Sequence, residues 1–246
     1  MLLKNKTALL TGCNRGIGKE ILKIFANNKS NLVCCVRQAD EAFSNLINQL
    51  KIENNIKIDV YYIDFEKEKN IKEIASDIIK NHQINILVNN IGYLENSLFQ
   101  MTTSQNLKKH FDVNFFSQFE FTQYIIKSMI KIKNGSIIFI SSSASLDGNI
   151  GRSSYSSSKS AINALSKVLS RELGRYNIRV NTIAPGLADT DMMRNTTDEK
   201  VLNDIVKNLS LKRIADPAEI ANVVLFLASD LSSYLTGQLI RVDGGI

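Results

Sequence analysis

The stretch Thr11-Gly12-Cys13-Asn14-Arg15-Gly16-Ile17-Gly18 decides the fold of this chain. It follows an apolar run at residues 7–10 and precedes an amphipathic segment at residues 19–28. Apolar runs bounded by glycine predict strands, and apolar positions recurring at helical spacing predict helices. The sequence therefore predicts a strand, a glycine-rich turn and a helix in direct succession.

The three glycines of this turn have distinct physical uses. Gly12 allows a tight turn, Gly16 lets the backbone approach a ligand, and Gly18 lets the helix pack close to the strand. The first turn of a helix carries unpaired N–H groups that attract anions. In this context the turn predicts a binding site for the pyrophosphate of a dinucleotide.

Outward from the turn, strand-like runs alternate with amphipathic helical segments. Further strands are predicted at residues 31–36, 57–63, 84–89, 136–141, 178–183 and 239–242. Further helices are predicted at residues 40–53, 69–80, 106–131 with a bend, 153–176 and 218–228, the last opened by Pro217. Residues 187–212 are polar and carry weak helical patterning. Repeated βα units indicate one α/β domain, residues 1–246, with a parallel sheet between two helical layers.

Composition fits a single enzyme domain. The 246 residues are 44% hydrophobic, which is enough for a sizeable core, and include only two prolines. The net charge is +6, but the 30 lysines and arginines are scattered, which argues against a nucleic-acid interface. No apolar run has the length of a signal peptide or a membrane span. A cytoplasmic protein that binds neither nucleic acid nor membrane is expected.

Cysteine and histidine usage gives no sign of a disulfide framework or a metal. Cys13, Cys34 and Cys35 are odd in number, and neighbouring side chains of a strand point to opposite faces. We interpret them as small buried hydrophobes in a reducing compartment. His82 and His110 have no companion ligand at a metal-binding spacing, and both are expected at the surface.

Tyr155 and Lys159 form the strongest chemical signal. If residues 153–173 are helical, the two side chains emerge on one face a single turn apart. A nearby cation favours the phenolate, and lowering the tyrosine pKa from ~10 to neutrality needs roughly 4 kcal/mol. With Ser142 thirteen residues earlier, the pair can build an acid that protonates a carbonyl. The alternative is an exposed tyrosine and lysine on a helix surface.

These motifs resemble those of the short-chain dehydrogenase/reductase family along essentially the whole chain. The resemblance is carried by the glycine turn, Asn89-Asn90-Ile91-Gly92, Asn114, Ser142, Tyr155, Lys159, Ala184-Pro185-Gly186 and Val242-Asp243-Gly244-Gly245. It implies a single-domain Rossmann-like fold, a three-layer αβα sandwich with a seven-stranded parallel sheet. Ile91 departs from the alanine usual in the family, so a small local repacking is expected.

The resemblance also implies four catalytic residues. Ser142 would hydrogen-bond the substrate oxygen, and Tyr155 would give or take the hydroxyl proton. Lys159 would hold the nicotinamide-ribose hydroxyls and lower the pKa of the tyrosine. Asn114 would bend its helix and anchor a water molecule.

Arg15 and Arg37 look like the pair that NADP-preferring family members place on the 2′-phosphate, so NADP is expected. NAD stays open, because Asp40 could reach the ribose instead. The cofactor site implied by the resemblance comprises Gly12, Asn14, Arg15, Gly16, Ile17, Gly18, Arg37, Asp64, Phe65, Asn89, Gly92, Tyr155, Lys159, Pro185, Gly186, Ala188 and Thr190.

The expected substrate is a polar small molecule. The residues predicted to contact it are Ser142, Arg152, Tyr93, Glu95 and Asn96. Arg152 would meet a phosphate or carboxylate, and Asp147 a hydroxyl, although Arg152 could instead point to solvent. A hydroxylated, anionic sugar-type substrate is therefore expected.

Three functional readings are open. Within the family, the chain resembles a subgroup associated with flagellin modification and surface-glycan assembly, which agrees with a sugar-type substrate. The alternative is a 3-oxoacyl-carrier-protein reductase of fatty acid synthesis, whose acidic carrier would need basic residues such as Lys133, Arg171 and Arg175. A third reading is a non-catalytic dinucleotide-binding regulator.

The resemblance implies a homotetramer or homodimer built on the long helices after the fourth and fifth strands. Residues 187–212 are predicted to form a lid over cofactor and substrate.

Overall fold

The computed structural model describes residues 1–67 and 70–245 and contains one seven-stranded sheet in the order β3-β2-β1-β4-β5-β6-β7. All adjacent pairs are parallel, so the predicted α/β fold is confirmed. The strands are β1 (Thr7–Thr11), β2 (Asn31–Val36), β3 (Ile58–Tyr62), β4 (Ile86–Asn89), β5 (Gly135–Ile140), β6 (Ile178–Pro185) and β7 (Leu239–Val242). The helices are α1 (Gly16–Asn27), α2 (Glu41–Asn54), α3 (Ile71–Asn81), α4 (Ser104–Phe111), α5 (Ser117–Ile132), α6 (Ala144–Asp147), α7 (Ser153–Leu173), α8 (Asp191–Thr196), α9 (Glu199–Asn208) and α10 (Pro217–Ala228).

The position of β1 creates a crevice at one edge of the sheet. β1 lies between β2 and β4. After β1 the chain continues to β2 on one side, and after β4 it continues to β5 on the other side. Ligands of open parallel sheets bind where the strand order reverses in this way. The glycine turn and residues 90–92 both border this crevice.

Alternating side chains divide the core between the two faces of the sheet. Cys34 packs on the face covered by α1, α2 and α10, and Cys35 on the face covered by α3, α5 and α7. Phe25 and Phe121 are fully buried anchors of the two layers. Burying one such side chain contributes about 1.5–3 kcal/mol. All three cysteines are buried free thiols, as predicted.

The long helix predicted at residues 106–131 is divided into three parts. α4 ends at Phe111, a π-helical turn spans Asp112–Phe116, and α5 continues from Ser117. The predicted bend is thus a π turn, a feature that often marks functional sites. The helix predicted at residues 153–176 ends at Leu173, and a 3-10 turn spans Gly174–Tyr176. Lys69, the predicted first residue of α3, lies outside the described residues.

The 187–212 segment contains α8 and α9, and its two ends are fixed to the rest of the domain. Near its start, Ala188 forms a bridge with Ala215, and the Thr190 hydroxyl accepts the N–H of Met193 to cap α8. Near its end, the Ser210 N–H donates to the carbonyl of Gly245 at 3.0 Å. Within residues 1–67 and 70–245, no helix is long and apolar enough to cross a membrane.

Candidate active site

A groove of about 540 Å³ lies at the crevice beside β1 and β4. The glycine turn, the carboxyl ends of the central strands and α8 all contribute to its wall. Every predicted cofactor residue except Gly18 and Asn89 lines it. The predicted residues that line it are Gly12, Asn14, Arg15, Gly16, Ile17, Arg37, Asp64, Phe65, Gly92, Tyr155, Lys159, Pro185, Gly186, Ala188 and Thr190.

The glycine turn has the backbone geometry that its sequence predicts. Gly12 and Gly16 have φ of +64° and +52°, in the left-handed region that favours glycine. A Cβ added to Gly18 would lie only 2.1 Å from the carbonyl oxygen of Gly12, so α1 packs directly on the end of β1. Gly18 is therefore a packing residue behind the groove. Among the described residues, no side chain caps the first turn of α1, which leaves its N–H groups facing the groove.

Asn90 takes the place predicted for Asn89. The Asn90 side chain donates to the Gly12 carbonyl at 2.9 Å, and its N–H donates to the Thr11 hydroxyl at 3.0 Å. Asn89 ends β4 with its side chain on the opposite face, where it donates to Thr122 at 3.0 Å. The correction follows from strand alternation, because two consecutive asparagines point to opposite faces.

Arg15 and Arg37 stand exposed at the end of the groove beside β2. Glu66, which the sequence analysis did not single out, lines the same end and lies 3.8 Å from Arg37. Asp40 accepts the Phe43 N–H at 2.7 Å and caps α2. Its carboxylate therefore caps this helix N-terminus, and Asp40 does not line the groove.

Ser142, Tyr155 and Lys159 meet at the other end of the groove. Tyr155 and Lys159 are both buried, so they do not form an exposed helix surface. The Lys159 ammonium donates to the carbonyls of Ile140 at 2.9 Å and Ile91 at 3.2 Å. These bonds fix its position between two strand ends.

Burial and hydrogen bonding set the acidities of this cluster. Burial raises the pKa of Tyr155, while a hydrogen bond with Ser142 and the charge of Arg152 act to lower it. Burial also lowers the pKa of Lys159, to about 8. Tyr155 therefore stays a neutral phenol at neutral pH, the form that can donate a proton.

Asn114 lies behind this cluster and does not line the groove. It is fully buried in the π turn, where its side chain donates to the Tyr93 carbonyl at 3.0 Å and to the Ser158 hydroxyl at 2.9 Å. The Tyr93 N–H donates to its amide oxygen at 2.7 Å. Asn114 therefore fixes the backbone of Tyr93 from both sides.

Only part of the predicted substrate set faces the groove. Tyr93 and Arg152 line it together with Ser142, whereas Glu95 and Asn96 are exposed at its rim. Arg152 donates to the Thr197 hydroxyl at 3.4 Å, so its guanidinium faces the groove rather than open solvent. Asn96 donates to the Thr196 carbonyl at 2.6 Å.

Asp147 and His110 were both misplaced by the sequence analysis. Arg241 holds the Asp147 carboxylate through two bonds of 2.8 Å, so that carboxylate is already paired. His110 is fully buried against Tyr155 rather than at the surface, and His82 is half-buried. In both cases the missing information was a long-range partner, since Asp147 and Arg241 are far apart in sequence.

Comparison with known proteins adds three results. A family model described as enoyl-(acyl carrier protein) reductase matches residues 12–246. The 3-oxoacyl-(acyl-carrier-protein) reductase FabG of Chlamydia muridarum is 37% identical, covering 100% of this chain and 98% of the relative. The 3alpha-hydroxysteroid dehydrogenase of Mediterraneibacter gnavus is 35% identical, covering 99% and 98%.

A further FabG relative, from Thermotoga maritima, is 34% identical, covering 100% of this chain and 99% of the relative. A solved structure described as a short chain dehydrogenase/reductase family protein has a TM-score of 0.85, with 28% identity and coverage of 100% and 98%. None of these relatives is named for flagellin modification. The names therefore favour the carrier-protein reductase alternative over the glycan reading.

Proposed function

The chain belongs to the short-chain dehydrogenase/reductase family and is an oxidoreductase that acts on CH–OH groups, and from this premise we propose that it is a 3-oxoacyl-carrier-protein reductase that uses NADP. The proposed reaction reduces a ketone to a secondary alcohol. The observation that carries the proposal is the cluster of Ser142 with the buried Tyr155 and Lys159, at one end of a groove whose other end is a glycine turn. The names of the FabG relatives support the acyl substrate.

The groove fits a dinucleotide by the chemistry of its own residues. The uncapped N-terminus of α1 offers N–H groups to a pyrophosphate, and Gly12 and Gly16 keep side chains away from it. Arg15 and Arg37 offer two guanidinium groups for a 2′-phosphate, which supports NADP over NAD. When bound, the reduced nicotinamide supplies the hydride for the reaction.

The chain's own residues handle the substrate oxygen and its proton. Ser142 holds the carbonyl oxygen, and Tyr155 donates the proton that completes the hydroxyl. Burial keeps Tyr155 protonated at neutral pH, and Arg152 stabilises negative charge that develops on the phenol. Lys159, held between two carbonyls, would bind the cofactor's ribose hydroxyls.

Exposed apolar residues that are near Ser97 and Arg152 in sequence support an acyl rather than a sugar substrate. Leu98, Phe99 and Ile150 are exposed apolar residues beside the bridge that joins Ser97 to Arg152. Such side chains suit an acyl chain or another apolar substrate better than a sugar.

The predicted carrier-binding residues do not border the groove of their own chain. Arg171 lies at the far end of α7, where a helix rise of 1.5 Å per residue puts it roughly 24 Å from Tyr155, and Arg175 lies in the 3-10 turn that follows. The carrier is therefore expected to dock elsewhere on this surface or across a second copy of the chain.

We also propose two features of the working enzyme. The aromatic side chains of Phe116 and Phe119 are partly exposed on one face of the π turn and α5, which supports a homodimer or homotetramer built on this helix in the cytoplasm. The contacts from Asn96 and Arg152 to Thr196 and Thr197 support the assignment of the 187–212 segment as a lid.

A substrate panel tests the function. Purified protein is assayed with NADPH or NADH against acetoacetyl-carrier protein, a 4-keto nucleotide sugar and a 3-oxosteroid, with the Tyr155→Phe variant as the blank. We expect the highest kcat/KM with acetoacetyl-carrier protein and NADPH. Preferential turnover of the sugar would restore the glycan reading, and preferential turnover of the steroid would assign the chain to the other relative's activity.

A further inference from the structure

His110 is a buried titratable group that the proposed mechanism does not use. It lies in the last turn of α4, and its side chain has no exposed surface. Its ring lies 4.9 Å from the ring of Tyr93 and 6.4 Å from that of Tyr155, measured between centroids. It therefore touches both the loop after β4 and the tyrosine of the site.

The partners of the two ring nitrogens fix the protonation state. Nδ1 lies 2.9 Å from the carbonyl oxygen of Asn106, which can only accept a hydrogen bond. Nε2 lies 3.2 Å from the backbone nitrogen of Glu95, which can only donate one. Both contacts are satisfied together only when Nδ1 carries the proton and Nε2 does not. A ring protonated on both nitrogens would set an N–H against the N–H of Glu95.

His110 and Asn114 hold the same short loop. Asn114 pairs with both backbone groups of Tyr93, and His110 accepts the N–H of Glu95, two residues further on. The Tyr93 hydroxyl in turn donates to the Glu95 carboxylate. Burial and that carboxylate raise the pKa of Tyr93 to about 12, so this donor persists at neutral pH. The loop is thus clamped by two side chains one helical turn apart.

We propose that His110 is a positioning residue, whose neutral ring clamps residues 93–95 against Tyr155 and whose protonation releases that loop and lowers the reductase activity. The activity part rests on the proposed function, whereas the clamp itself does not. His110 acts through Tyr93 and Tyr155 and is not assigned a contact with substrate or cofactor.

The charges around the ring set the direction of its response to pH. Lys109 faces it from α4, Tyr93 and Glu95 from the loop, and Tyr155 from α7. Burial, the largest cause, lowers the pKa of His110 below its ordinary value of about 6.5. The clamp is therefore complete above pH 6.5 and is lost as the pH falls through the lowered pKa. The unfolded chain binds the proton first, so acidification also weakens the fold in the same range.

Two substitutions separate the clamp from simple packing. His110→Gln puts an amide oxygen near the position of Nε2, which keeps an acceptor for Glu95 but cannot titrate. We expect it to retain kcat/KM at pH 7.5 within about threefold and to lack the acid loss of activity that the wild type shows. His110→Leu removes the acceptor and should lower kcat/KM about tenfold at pH 7.5, as expected for the loss of about one hydrogen bond, with the difference from the wild type shrinking in acid. His82→Gln, at the only other histidine, is the matched control and should keep the wild-type pH profile.

Nitrogen NMR of the histidine rings tests the clamp without any turnover. At pH 7.5 we expect His110 to carry its proton on Nδ1, and the Glu95 amide shift to follow the titration of that ring. A proton on Nε2, or an acid limb that His110→Gln leaves unchanged, would overturn the proposal. If His110→Leu does not fold, the glutamine variant and the NMR titration decide alone. If no acyl substrate is turned over, the proposed function is wrong. The NMR result then still shows whether His110 accepts the N–H of Glu95.

Discussion

The two halves of the groove are built by different kinds of contact. In the turn half, formed by residues 11–18 and Asn90, backbone atoms pack at minimal separation, and the Asn90 amide is bonded to the Gly12 carbonyl at 2.9 Å. In the rim half, formed by residues 93–97, Arg152 and residues 196–197, side-chain hydrogen bonds of up to 3.4 Å connect separate segments.

This difference predicts which half of the groove tolerates substitution. Backbone packing tolerates almost no change, whereas exposed side-chain bridges can be exchanged at little cost. Relatives named for a carrier-protein reductase and for a hydroxysteroid dehydrogenase match this chain equally over its length. We therefore expect substitutions in the turn half to affect folding and cofactor binding, and those in the rim half to affect substrate choice.

The largest effect is expected where the halves meet. Tyr155→Phe removes the proton donor and should lower kcat about 10²–10⁴-fold, the usual contribution of a positioned acid. The dissociation constant for NADPH should change little, because the turn half is untouched. Steady-state kinetics and cofactor fluorescence measure the two quantities. Tyr234→Phe, at a fully exposed tyrosine, is the control, and a Tyr155→Phe enzyme with more than a tenth of wild-type turnover would contradict the mechanism.

Gly18→Ala tests the turn half by itself. The added Cβ would lie 2.1 Å from the Gly12 carbonyl oxygen, so α1 must shift. We expect the free energy of unfolding to fall by about 1–3 kcal/mol, as for other overpacked sites, and NADPH binding to weaken. Gly174→Ala is the matched control, because a Cβ there would meet no atom of the described residues within 4 Å. Equal urea midpoints for the two variants would refute the close packing.

Arg37→Ala should separate the two cofactors. Loss of a charge-assisted bond to a 2′-phosphate costs about 1.5–3 kcal/mol at most, and exposure reduces it, so KM for NADPH should rise about tenfold. KM for NADH should stay within twofold, since NADH lacks that phosphate. Arg175→Ala, at an exposed arginine far along the chain, controls for net charge. A parallel rise in both KM values would mean that Arg37 does not read the phosphate.

The smallest effect concerns Lys159 in the absence of cofactor. Burial lowers its pKa to about 8, so between pH 8 and its ordinary pKa the unfolded chain binds a proton that the folded chain has released. Stability contributed by this site therefore increases with rising pH. Relative to Lys159→Met, the wild type should gain about 1 kcal/mol in unfolding free energy between pH 7 and pH 9. Urea unfolding at both pH values measures this, and a difference that does not change with pH would contradict a desolvated lysine.

The parts of the site that could be predicted from the sequence are those whose residues lie close together along the chain. The glycine turn joins two consecutive elements and the Tyr155–Lys159 pair lies within one helix, so neighbouring positions in the sequence bring their atoms together. The same alternation rule explains why Asn89 was chosen wrongly, since the exact end of β4 decides which asparagine faces the groove. Strand and helix ends were shifted by a few residues for the same reason.

Contacts between distant segments were not predictable. No residue near Asp147 in the sequence indicates that Arg241 binds its carboxylate. Likewise, His110 was expected at the surface because it has no companion ligand at a metal-binding spacing, and only the packing of α4 on α7 reveals that the ring is buried. Both errors concern polar residues whose burial depends on partners brought by the tertiary fold.

The strand order also sets when the groove can form during folding. β1 pairs with β2, which follows it closely in the sequence. Its other neighbour, β4, joins it through pairs such as Ala8 and Ile86, which are far apart in the sequence. Such a distant pairing must overcome a large loop-closure entropy, which makes it a late event. Asn90, which ties the glycine turn, arrives with β4. A ligand of the groove should therefore slow unfolding while leaving the folding rate unchanged.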